Sequence, residues 1–158
     1  MTINTRDADS YADEVLPLDG PYTPEAMAVA GELISELVRR LNHATLAGNT
    51  DQSLPYPSNL DRVVGHLEGA VEGMPQLLRQ LTSHLGDIQH APRLTIDSLG
   101  GAISPANAVN AAGESLGVAS GYIRYAGSAL SQARRLTHRM AWHDPEDALR
   151  EARTTYDG

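Results

Sequence analysis

From residue 60 to residue 88 apolar side chains recur at alternating spacings of four and three: Leu60, Val64, Leu67, Val71, Met74, Leu78, Leu81, Leu85 and Ile88. This is a heptad seam, and it predicts one long amphipathic helix over about 59–88. The same rhythm runs through Met27, Ala30, Ile34, Leu37, Leu41 and Ala44, predicting a helix over about 24–46. It returns through Val109, Ala112, Leu116, Ala119, Ile123, Ala126, Leu130, Ala133, Thr137 and Met140, predicting a third over 104–141. Pro75 interrupts the 59–88 pattern. The seam nevertheless keeps its phase from Met74 to Leu78, so a kink is expected there rather than a break.

Start signals agree with these periods. Thr23–Pro24–Glu25, Ser104–Pro105 and Asp144–Pro145–Glu146 each place an oxygen-bearing cap before a proline. The cap can accept from the free N–H groups of the first turn, and proline at the first helical position has no N–H to leave unsatisfied. Ser58–Asp61 resembles a capping box with Asp in place of Glu, and the last start predicts a short helix over 145–155. The expected fold is therefore all-α, an elongated bundle of three long helices plus a short C-terminal one. Residues 1–20, with Asp7, Asp9, Asp13, Glu14 and Asp19 against Arg6, read as a mobile acidic arm, leaving 21–158 as a single helical-bundle domain. The connection over 89–103 is long. Its Leu94, Ile96 and Leu99 are expected to cover one end of the bundle, and a lid over a ligand pocket is the sharper alternative.

The third helix is unusual in its glycines. Gly113, Gly117, Gly121 and Gly127 lie within it, although each glycine costs a helix interior about 0.5–1 kcal/mol relative to alanine. At 100° per residue Gly113, Gly117 and Gly121 fall beside the seam, with Arg124 and Ser128 on the same flank. Between Pro105 and Ala133 the only charged residues are Glu114 and Arg124, so the helix is expected to be covered on several sides. Gly113, Gly117, Gly121, Arg124 and Ser128 are accordingly a candidate oligomer face, most simply that of a two-fold homodimer. A compositional bias toward alanine and glycine is the plainer explanation of the same residues.

Composition narrows the chemistry. A chain of 158 residues is about one domain, and its formal net charge of −8 disfavours a surface built to grip phosphate backbones. With no cysteine there is no disulfide framework, thiolate nucleophile or zinc–sulfur site. No apolar run approaches a membrane span and the first twenty residues lack an apolar signal core, so a cytoplasmic protein without membrane contact is expected. No Glu is followed three residues later by His, which removes the ligand pair of di-iron bundles. Nucleotide, dinucleotide and nucleophile-elbow motifs are missing as well, and no catalytic, cofactor-binding or metal-ligating residue is nominated.

One cluster remains. Arg134, Arg135, His138, Arg139, Trp142 and His143 gather near the end of the third helix. Cations there complement the helix macrodipole, which explains them structurally. As a functional site they would form a docking patch for an acidic protein partner, since Trp and Arg are enriched where binding energy concentrates. The resulting expectation is a non-catalytic, self-associating interaction or scaffold protein. A nucleic-acid-associated regulator using residues 134–143, and a helical enzyme or small-ligand carrier, are the alternatives.

Overall fold

The computed structural model of the chain describes residues 8–91, 94–96 and 103–141. These residues are 78% helical, with no strand among them. The helices are α1 (Ala8–Val15), α2 (Pro24–Ala44), α3 (Thr50–Ser53), α4 (Pro57–Ile88) and α5 (Pro105–Thr137). The chain divides into two compact units, Met1–Pro55 and Tyr56–Gly158. The short helix expected over 145–155 lies outside the described residues.

In the first unit, part of the stretch read as an acidic arm is helical, because α1 occupies Ala8–Val15 and packs on α2. Helix α2 starts as its sequence dictates. Thr23 is extended and its hydroxyl accepts from the Ala26 N–H at 3.1 Å, with Pro24 opening the helix. Its far end is closed by side chains, Ser53 Oγ donating to the Ala44 carbonyl at 2.8 Å and Asn49 Nδ2 to the His43 carbonyl at 3.0 Å.

The second unit is a hairpin of two long helices. Helix α5 starts at the expected cap, Ser104 Oγ accepting from the Asn107 N–H at 3.2 Å. Helix α4 starts earlier than the Ser58–Asp61 signal suggests. Pro57 takes the first helical position, and the Asn59 side chain accepts from the Tyr56 N–H at 3.2 Å. Pro57 is thus another helix opener. Pro75 leaves α4 unbroken through 32 residues.

The two helices run antiparallel. Thr82 faces Gly113, Val71 faces Gly127, Glu68 meets Arg134 and Asp61 meets Thr137. On α5 the line of contact follows Val109, Gly113, Leu116, Ser120, Ile123, Gly127, Leu130, Arg134 and Thr137. On α4 it follows Asp61, Val64, Glu68, Val71, Pro75, Leu78, Thr82, Leu85 and Gln89. Half of each apolar seam therefore does not point at the neighbouring helix. Val64, Val71, Leu78 and Leu85 do, but Leu67 and Leu81 stand one position to the side, as do Ala112, Ala119, Ala126 and Ala133 on α5. Their places on the contact line go to small and polar residues. Gly113, expected beside the seam, sits on the contact line, as does Gly127, where the close neighbour leaves little room for side chains.

The contact line separates two different flanks. Residues one position after it form a cleft lined by Glu72, Arg79, Ser83 and Gly86 from α4 and by Glu114, Gly117, Arg124 and Ser128 from α5. Residues one position before it are Leu60, Val63, Leu67, Ala70, Met74, Leu77, Leu81, His84 and Ile88 on α4, and Ala108, Ala112, Ser115, Ala119, Tyr122, Ala126, Ala129, Ala133 and Leu136 on α5. The first flank is polar and the second apolar.

A β-carbon added at Gly127 would meet Val71 Cγ1 at 3.6 Å, and one at Gly113 would meet Thr82 Cγ2 at 3.5 Å, both ordinary contacts. Alanine fits at either site and relieves the glycine cost, so Gly113→Ala and Gly127→Ala should each raise stability by about 0.5–1 kcal/mol. Gly127→Leu has no such room and should lower it by about 1–3 kcal/mol. Thermal unfolding followed by circular dichroism at the helical band checks all three; an equal gain from leucine and alanine at 127 would show that α4 does not lie against this position.

Candidate functional site

Two groups of residues stand out from the sequence, and the structure separates their roles. In the cluster at the end of α5, the Arg134 guanidinium lies 3.0 Å from Glu68 Oε2. The Glu68 side chain is only 10% exposed, so its charge depends on that partner. Three residues further along α5, Thr137 Oγ1 donates to Asp61 Oδ1 at 2.8 Å while His138 Nδ1 stands 3.3 Å from Asp61 Oδ2. Gly65 makes room here: a β-carbon on it would stand 3.0 Å from Arg134 Nε, and the arginine would have to give by a few tenths of an ångström to lie across α4.

Arg134 and His138 therefore act first as a clamp between the end of α5 and the start of α4. Arg135 and Arg139 remain exposed on the same end, while Trp142 and His143 lie outside the described residues. The patch is smaller than its sequence suggests. Thr137 and Asp61 complete the clamp, and sequence periodicity had no means of pairing them across 76 positions.

The clamp carboxylates are tuned by their partners. The Arg134 hydrogen bond, then that of Ser131, holds the Glu68 carboxyl below the usual carboxylate range. The Thr137 hydroxyl does the same for Asp61, with His138 adding to it. Glu68 in turn pushes Arg134 further up, so the pair is ionised throughout the physiological range.

The glycine group is split by the fold. Gly113 is half-buried against Thr82 in the contact line, whereas Gly117 and Gly121 meet nothing within 4 Å of where a β-carbon would stand. Gly117, Arg124 and Ser128 line the polar cleft. Its walls carry Glu72, Arg79, Glu114, Arg124 and Arg135, and no buried side-chain nitrogen or oxygen among the described residues lacks a partner. Among the described residues no three of His, Asp and Glu gather as a set of metal ligands. In the 89–103 connection, Leu94 is half-buried and Ile96 exposed, while Leu99 lies outside the described residues.

What sequence reading misses is the apolar flank. The leucine and alanine positions were legible as seams, but which side of each helix they occupy depends on how α4 and α5 meet. Leu67 is 37% exposed and Leu81 42%, and Tyr122 and Leu136 more so. Such a run of leucines along one flank is the most unusual surface of the hairpin.

The clamp generates a pH dependence with a definite sign. Because folding lowers the pKa of both Asp61 and Glu68, the unfolded chain binds more protons than the folded one as the carboxylates titrate in acid. The stabilisation is fully present above about pH 5 and is lost as pH falls through the folded-state values, below about pH 4. Denaturant midpoints measured from pH 7 to pH 3 should fall in that window, and Glu68→Gln should flatten the fall; an unchanged slope would show that the Glu68–Arg134 pair does not couple to folding.

No protein-family model matches the chain, and neither a search of the curated proteins nor one of the solved structures found a similar protein.

Proposed function

We propose that this chain works without catalysis, as a self-associating helical interaction or scaffold protein. One observation carries the reading. Helices of 32 and 33 residues pack along their lengths, yet Val109 and Pro75 are the only apolar residues that become buried among the described ones. A helix pair has a single shared line, so a surplus apolar row on each helix needs a further partner. Burying a Leu or Val side chain contributes about 1.5–3 kcal/mol, and the hairpin alone leaves most of that unrealised.

The exposed arginines 135 and 139 keep a protein-docking role for the end of α5 within this reading. A nucleic-acid regulator is less well supported, since Arg134 and His138 are turned toward Glu68 and Asp61. An acidic protein partner suits what is left of the patch.

Size-exclusion chromatography with light scattering, run on the whole chain at several concentrations, tests the reading. Association at tens of micromolar is expected. It should persist between low salt and 0.5 M salt, because apolar burial is not screened as surface charge pairs are. A monomer at every concentration would overturn self-association, and dissociation by moderate salt would assign the contact to charges instead.

A further inference from the structure

We infer that the apolar flank of the α4–α5 hairpin is the self-association surface, and that its occupant is the same flank of a second copy, giving a four-helix bundle with its two-fold axis along the helices. The inference rests on the reading above and names its interface.

Three features of the hairpin point to a second copy. The first is charge: the flank on α4 is Leu60, Val63, Leu67, Met74, Leu77 and Leu81, followed by His84 and Ile88, and that on α5 is mostly alanine. No Asp, Glu or Arg interrupts either row, whereas the opposite cleft would bring Glu72, Arg79, Glu114 and Arg124 under a partner and strip them of water. The second is height. The α4 row is tall and the α5 row, apart from Tyr122 and Leu136, is low, so a two-fold axis parallel to the helices sets each leucine row on the alanine row of the partner, large on small. A perpendicular axis would set leucines on leucines and alanines on alanines, leaving one gap and one clash. The third is length. Helices of 32 and 33 residues overlay end to end without overhang. Each is about 50 Å long at 1.5 Å per residue, and a face two helices wide is about 20 Å across. The footprint of about 1,000 Å² per copy exceeds the roughly 800 Å² typical of a stable interface.

The arrangement also accounts for where the seams point. Leu67 and Leu81 together with Val71 and Leu78 aim between the neighbouring helix and the apolar flank, which is where the centre of a four-helix bundle lies.

The absence of cysteine makes cross-linking clean. Leu81 of one copy lies level with Ser115 of the other in this arrangement, while Leu81 stands diagonally across the bundle from its own equivalent. Co-expressed Leu81→Cys and Ser115→Cys chains should form a disulfide-linked dimer under mild oxidation, and Leu81→Cys alone should not. Leu67→Glu with Leu81→Glu should abolish association, with helix content by circular dichroism confirming that the chain still folds. Gly117→Leu, on the polar flank and clear of other side chains, should leave association intact.

A dimer that survives the double glutamate substitution, that links through Leu81→Cys alone, or that is lost in Gly117→Leu would overturn this interface while leaving self-association standing. A wild-type chain that stays monomeric, with the flank covered by another of its segments or open to a different protein, would overturn both.

Discussion

The structure of the second unit depends on one geometric constraint: two helices meet along a single line, and the residues on that line are fixed by how close the backbones come. Gly113 and Gly127 admit Thr82 and Val71, and Ser120 and Pro75 keep the profile low between them. Bulky side chains are thereby displaced sideways. Leu67, Leu77 and Leu81 of α4 and the alanines of α5 end up next to the contact rather than in it, and that displacement creates the apolar flank on which the functional proposal stands.

Register along this line is set by polar contacts. Apolar rows with a seven-residue repeat can slide by a heptad at modest cost, whereas Glu68 with Arg134 and Asp61 with Thr137 fit in one alignment only. Removing one partner would leave a nearly buried carboxylate without compensation, which costs more than the intact pair contributes. The clamp is thus read as a register device at the end where α5 finishes and α4 begins. Arg134 and His138 thus hold α4 while their side chains stay 51% and 79% exposed.

Much of the fold was legible in the sequence. Thr23–Pro24 and Ser104–Pro105 announced the starts of two helices, and the 4-3 spacing announced the long span of α4, because caps and periodicity are local properties. Pro57 was harder, since tyrosine is a poor cap and Asn59 does the capping from within the helix. The candidate sites were less legible. A heptad seam gives the mean direction of an apolar stripe but cannot tell whether that direction points at one neighbour or between two. Ala112 and Gly113 differ by 100° around the axis, and only the position of α4 decides which of them faces it. The Asp61–Thr137 contact joins residues 76 positions apart, and nothing in either local sequence marks the other.

If association completes the hairpin, its folding stability is linked to protein concentration, because a partner that binds only the folded state adds to the free energy of unfolding. Amide hydrogen exchange of the whole chain, read by mass spectrometry at about 1 and about 100 times a low-micromolar concentration, measures this directly in α4 and α5. The account predicts that exchange across Pro57–Ile88 and Pro105–Thr137 slows as concentration rises. Identical exchange at both concentrations, with α4 and α5 fully protected in the dilute sample, would contradict it.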